Sequence, residues 1–238
     1  MKTLSLIKGT SGAGKSTRTY MFLLFLRELN YSDSPLLFIN SDGKEKQAGI
    51  LFPELDLLFI GTEYKSGNFT RYQGADNRTS SFCGNQGMVD FVRENKDKYH
   101  MIFEGAIPLN SDKFRPNYLY KELGVSRMYL QYYLFEKDQR DKFDERIVYR
   151  SGKKCGDAVW QKVQTTHNDF KKSSEDAESL KEVASVAVFK NYFDAEVYDF
   201  GIKMLIVLDL DPKVGKFIDF CKQLDYVKGN QFSNFALI

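Results

Sequence analysis

The chain has 238 residues, 42% of them apolar, so it can bury a sizeable core and suits one α/β domain with insertions. A net charge of only +2 excludes the overall basic field of a DNA-coating protein, so any nucleic-acid contact must be local. Cys83, Cys155 and Cys221 lack the spacing of a zinc site or a disulfide framework, which makes a reducing cytoplasm the expected compartment.

The start, MKTLSLIKG, has no apolar core followed by a small-residue cleavage site, and Met21 to Leu26 is too short to span a bilayer, so no membrane is expected as a partner. Residues 3–8 (TLSLIK) are β-compatible and stop at glycine. Residues 15–30 follow as a helix that is apolar most of the way round and therefore buried. A second strand is expected over LLFIN, ending at Ser41-Asp42-Gly43, and a third over residues 56–61 (DLLFIG). Residues 62–85 are rich in Gly, Asn, Ser and Thr and read as a long functional loop. Residues 87–96 have helical spacing, and residues 99–105 form a strand with an acid at its end. Another strand covers about 128–135, before a charged helix to about 150.

The polar stretch 151–174, with Gly152, Lys153, Lys154, Lys171 and Lys172, reads as a mobile lid. A long helix is expected over 175–198, ended by Gly201 in the manner of a C′ glycine. A last core strand over 202–210 and a last core helix over 213–224 complete the reading. Strands alternating with helices predict an α/β fold: a mostly parallel sheet flanked by helices on both faces, in one domain over residues 1–238.

The spacing G-x-x-x-x-G-K-[ST] is met by Gly9, Thr10, Ser11, Gly12, Ala13, Gly14, Lys15 and Ser16, after a predicted strand and at the start of a predicted helix. Glycines let the backbone turn its N–H groups toward phosphates, and the helix N-terminus adds partial positive charge there. Lys15 is placed to reach the β- and γ-phosphates of a nucleotide, and the Ser16 hydroxyl to ligate Mg²⁺. Thr17 completes the nucleotide-binding set, and ATP with Mg²⁺ is the expected pair. Glu104 ends an apolar strand beside the nucleotide crevice of such sheets, where it orients Mg²⁺ or acts as a base; Gly105 after it allows close approach of a ligand. Two readings stand for Asp42: an acceptor of the substrate's proton, or an ordinary Ser-Asp-Gly turn.

Four features together resemble the 5-hydroxymethyluracil DNA kinases of bacteriophages with hypermodified thymines, a family of P-loop kinases. They are GTSGAGKSTR at 9–18, LLFIGTEY at 57–64 followed by Gly74-Ala75-Asp76, IFEGAI at 102–107, and Arg146 and Arg150 before Ser151-Gly152-Lys153-Lys154. The family usually has two adjacent glycines and a cysteine before that aspartate, where this chain has Gly74 and Ala75. The resemblance implies transfer of the γ-phosphate of ATP to the hydroxyl of 5-hydroxymethyluracil in phage DNA, in the host cytoplasm. It makes Asp76 the leading general base, against the alternative of a turn-capping side chain.

Arg146 and Arg150 lie four apart on one helix face, either clamping phosphates or pairing with nearby acids. Tyr64 and Tyr72 flank the acceptor loop and are placed to stack on a base, with Arg71 near a phosphate. Arg18 faces either the acceptor or solvent; His100 and His167 lack metal or triad partners, and His167 reads as a solvated loop residue. Two rival functions share part of this pattern: a kinase of free nucleotides or another small metabolite, and a P-loop switch or ATPase with no acceptor.

Overall fold

The central strands read as near-continuous apolar runs because both of their faces are covered. In the computed structural model, which describes residues 1–10, 13–66, 69–106, 108–135, 139–151, 156–189 and 198–228, they form one seven-stranded sheet. The strands are β1 (Leu4–Gly9), β2 (Ser34–Ile39), β3 (Glu45–Phe52), β4 (Leu57–Ile60), β5 (Thr62–Ser66), β6 (Phe69–Gln73), β7 (His100–Gly105), β8 (Met128–Tyr133) and β9 (Ala184–Phe189). The order across the sheet is β2-β3-β4-β7-β1-β8-β9; β5 and β6 pair apart from it as a separate antiparallel ribbon. All pairs from β4 to β9 are parallel, whereas β3 runs antiparallel to both β2 and β4.

The helices are α1 (Lys15–Glu28), α2 (Asn85–Asn95), α3 (Pro116–Lys121), α4 (Arg140–Ser151), α5 (Asp157–Glu178), α6 (Asp199–Val207) and α7 (Val214–Lys228). Alternate residues of each strand feed two cores. Ile7, Phe59, Ile102 and Tyr133 pack with α1, α6 and α7, while Leu6, Leu58, Phe103 and Leu130 pack with α2, α3 and the C-terminal half of α5. The α1 helix is buried on most sides, and its Phe22 meets Phe59, Phe200 and Phe217 at ring-centroid distances of 6.0 Å each. Burying such a side chain is worth roughly 1.5–3 kcal/mol, so α1 is fixed by its surroundings more than by helix propensity.

Several expectations are corrected. β3 was not anticipated: its first residues, Glu45, Lys46 and Gln47, are polar because they extend past the cover of the cores. Residues 62–85 are not one loop, since they hold the β5–β6 ribbon and a short turn of helix at Ala75–Asn77. The polar stretch 157–174 lies in α5, which buries Trp160, Val163, His167 and Phe170, while residues 152–155 fall outside the described set. No single helix spans 175–198: α5 stops at Glu178 and the parallel strand β9 follows, with residues 190–197 outside the described set. The apolar run 202–210 is not a strand but lies largely in α6, whose Gly201 is inside the helix and not beyond its end. A Cβ on Gly201 would come within 2.2 Å of the Phe217 ring, so glycine is what allows α6 and α7 to touch.

Candidate active site

β1 ends at Gly9, tucked so closely beneath Tyr133 that a Cβ would meet that residue's Cβ and carbonyl oxygen at 3.0 Å each. The chain re-enters helix at Gly14, the residue before α1, whose φ of 72° is the left-handed conformation that glycine adopts without strain. No side chain caps α1, so the first N–H groups of the helix face the mouth of the loop. Lys15 Nζ donates to the Thr10 carbonyl at 2.9 Å, and Arg18 donates to the Ala13 carbonyl at 2.8 Å. Arg18 thus faces neither solvent nor an open acceptor space: it is 5% exposed and lies 4.4 Å from the centroid of the Tyr133 ring. The buried Thr10 hydroxyl has no hydrogen-bond partner among the described residues. Ser11 and Gly12 fall outside the described residues; Thr17 is half-buried in the first turn of α1.

β7 pairs with β1 in register, setting Glu104 opposite Ile7, and strand alternation turns Glu104 toward the α1 face with Ile102. The Ser16 hydroxyl donates to Glu104 Oε1 at 3.0 Å. Among the described residues, no three His, Cys, Asp or Glu side chains gather as a metal cage. A hydroxyl and a carboxylate side by side are nonetheless hard oxygen ligands of the kind Mg²⁺ accepts, since that ion keeps several of its waters.

Asp76 reaches the same strand end from the other direction. Both of its carboxylate oxygens accept the Ala106 N–H, at 2.8 and 2.9 Å. Two glycines permit the approach. A Cβ on Gly74 would lie 2.0 Å from Glu104 Oε2, and one on Gly105 would lie 2.6 Å from Asp76 Oδ1. The two carboxylates, twenty-eight residues apart in sequence, are therefore held against one strand terminus by residues that have no side chains.

The ribbon leading into Asp76 is anchored on one face. Tyr72 is buried, stacks on Tyr20 and donates to the Ile60 carbonyl at 3.1 Å, so it is not free to stack on a base. Burial, together with the charge of Glu104, raises its pKa well above the usual tyrosine value. Glu63 accepts from Arg27 at 2.7 and 2.9 Å, and the same guanidinium grips Asp33 at 2.9 and 2.8 Å, tying the ribbon to the end of α1. On the opposite face Tyr64 and Arg71 are direct cross-strand neighbours, both exposed. Past Asp76 the chain bounds an open cleft of about 540 Å³, lined by Asp76, Asn77, Thr79, Ser80 and Gly84.

Not every expected residue joins this group. Asp42 is exposed in the β2–β3 turn, where its N–H donates to the Asn40 side chain. Because β3 and β4 intervene, β2 stands three strand spacings from β7, about 14 Å. Arg146 and Arg150 lie on α4, with side chains outside the described residues. His167 is buried in α5 against the Phe135 ring, at 4.6 Å between centroids, and is no loop residue. His100 accepts the Thr3 N–H, and burial lowers its pKa to about 4, which keeps it neutral. Asn77, Thr79 and Ser80 gave no signal in the sequence, because polar residues in a glycine-rich stretch are ordinary loop composition.

The family model described as 5-hmdU DNA kinase 2 matches residues 1–200 of the chain. A protein of Salmonella phage ViI named 5-hmdU DNA kinase 2 is 32% identical over 195 residues, covering 79% of this chain and 61% of that protein. The chain thus spans less than two thirds of that relative's length.

Proposed function

We propose, since this chain belongs to the 5-hmdU DNA kinase 2 family, that it transfers the γ-phosphate of ATP to the hydroxyl of 5-hydroxymethyluracil in DNA. The observation that carries the reading is the Ser16–Glu104 hydrogen bond at the mouth of the glycine-rich loop, with Asp76 fixed two residues further along the same backbone. We take residues 1–238 as one kinase domain, with the nucleotide phosphates held by Gly9 to Thr17. Lys15 would leave the Thr10 carbonyl for the β- and γ-phosphate oxygens, and the Thr10 hydroxyl, without a partner among the described residues, is available to the same ligand. Arg146 and Arg150 are assigned to the phosphates from α4.

Ser16 and Glu104 would hold Mg²⁺, which supplies charge neutralisation on the phosphoryl oxygens. Asp76 accepts the proton as the hydroxymethyl oxygen bonds to the γ-phosphorus and the bond to the departing ADP oxygen breaks. The Ala106 N–H orients the Asp76 carboxylate for that role. In a duplex the 5-position lies inside the phosphate backbone, so the base is extruded or the substrate is single-stranded. The products are ADP and a phosphorylated hydroxymethyl group, a better electrophile at its methylene carbon. Among the described residues no helix is long and apolar enough to cross a membrane.

The test is transfer from labelled ATP to hydroxymethyluracil DNA, to free nucleotides and to water. Label should enter the DNA, and Lys15→Ala should abolish transfer while the protein stays folded. Label in free nucleotides alone would support the small-molecule kinase, and release to water alone the ATPase.

A further inference from the structure

The base that carries the acceptor hydroxyl needs a place beside Asp76. The ribbon before Asp76 offers little room for it: Tyr72 is buried, and a Cβ on Gly61 would already lie 2.5 Å from the Tyr72 hydroxyl. The open space lies after Asp76. We infer that the cleft bounded by Asp76, Asn77, Thr79, Ser80 and Gly84 is the seat of the acceptor pyrimidine. This rests on the kinase reading above and adds the location and chemistry of its acceptor site.

Three properties of the cleft lead to this assignment. Its volume of about 540 Å³, widely open to solvent, has room for a pyrimidine ring. Its side chains are a carboxylate, an amide and two hydroxyls, which match the donors and acceptors on the hydrogen-bonding edge of a pyrimidine. Its mouth is open, as an occupant still joined to a polynucleotide on both sides requires. The walls are also fixed. The Gly84 N–H donates to the Thr79 carbonyl at 2.8 Å, and the Asn40 side-chain amide donates to the Ser81 carbonyl at 3.2 Å, so the 79–84 turn is braced from within and from the β2–β3 hairpin. Arg78 is absent from the lining and donates to the Gln47 carbonyl at 2.5 Å. The single carboxylate of the lining is Asp76, which in the cleft meets the hydroxymethyl group; the Thr79 hydroxyl donates to the Asp76 carbonyl at 3.5 Å, and the Asn77 amide and Ser80 hydroxyl are left to read the ring.

Asp76 lines the cleft and is held at Ala106, two residues past Glu104, whose own carboxylate accepts from Ser16 at the start of α1. A pyrimidine seated here therefore presents its hydroxyl to the side from which the γ-phosphate arrives.

The experiment uses the full chain and a single-stranded oligonucleotide with one 5-hydroxymethyluracil. Ser80→Trp fills the cleft from an exposed position, and Asn77→Ala removes its amide. Ser80→Trp should raise KM for the oligonucleotide roughly tenfold or more, with KM for ATP within twofold of the parent. Asn77→Ala should raise KM for the oligonucleotide less, with kcat little changed. A second measurement needs no turnover: an oligonucleotide with 5-iodouracil at the target position is photocrosslinked and the attached peptide mapped. Attachment within residues 76–84 supports the assignment, and attachment to residues 62–73 or elsewhere overturns it. An active parent protein with unchanged oligonucleotide KM in Ser80→Trp also overturns it, while leaving the kinase reading intact. A parent protein that neither binds nor phosphorylates the oligonucleotide overturns both.

Discussion

Lys8 offers a measurable test of how the core of this protein is held. It sits on β1 immediately before the glycine-rich loop, fully buried, with Nζ donating to the Phe114 carbonyl at 2.7 Å and to Ser173 at 3.4 Å, and 5.6 Å from the Tyr132 ring centroid. Burial, reinforced by the nearby Arg115 charge, lowers its pKa from 10.5 to about 7. The folded state therefore resists the proton that the unfolded state binds. The cost is fully present below pH 7 and falls away as pH rises toward 10.5, so Lys8 makes stability increase with pH through that window. At 1.36 kcal/mol per pH unit, the penalty is about 4 kcal/mol at pH 7 and about 2 kcal/mol at pH 9. Lys8→Met keeps the length of the side chain, removes the ionisation and leaves the Phe114 carbonyl without this donor, at a cost of about 1–3 kcal/mol that does not depend on pH. Urea unfolding at pH 7, 8 and 9 should give a parent-minus-variant difference that shifts by about 2 kcal/mol in favour of the parent over that range. Parallel stability curves would falsify the reasoning, because Lys8 would then carry the same proton folded and unfolded.

Asp76→Asn keeps an oxygen able to accept the Ala106 N–H but loses the base, so turnover on hydroxymethyluracil DNA should fall by about 10²–10⁴ while ATP and DNA still bind. Full turnover in a labelled-transfer assay would send the search for the base to Glu104. Gly74→Ala puts a methyl 2.0 Å from Glu104 Oε2 and 2.5 Å from the Glu104 carbonyl oxygen, which must separate Glu104 from Ser16. A loss of roughly 10² in kcat is expected, the usual cost of a small misplacement. Gly215→Ala, with nothing within 4 Å of its Cβ, is the control and should gain stability by about 0.5–1 kcal/mol in thermal unfolding with activity unchanged.

The parts of the fold that could be read from sequence are those whose cause is local. β1 and α1 announce themselves because an apolar strand, a glycine that ends it and a buried helix all fall within thirty residues. Glu104 and the Gly74–Asp76 turn were visible as residues, but their meeting at one strand end is a tertiary fact set by Gly74 and Gly105. The run IKMLIVLDL misled because a helix buried on most sides has the same composition as a buried strand, and periodicity does not separate the two in so short a run. β9 was hidden for the opposite reason: at the sheet edge its residues after Ala184 are only partly covered, and charged residues before it carried the helical pattern onward. Asp42 seemed close to the chemistry only while β3 was missing from the strand order.

The separateness of the β5–β6 ribbon has a consequence for how such proteins can diversify. Among the described residues no backbone pairing joins its ladder to the seven-stranded sheet, and the Glu63 and Tyr72 side chains moor it, to Arg27 and to the β4 carbonyl of Ile60, at the end nearest Asp76. Adding two residues to each strand beyond that mooring extends the ladder while keeping the same side chains inward, and no pairing in the main sheet changes register. The ribbon is thus a natural place for length variation or an inserted peptide, and its reach can be altered while the strand end carrying Glu104 stays where it is.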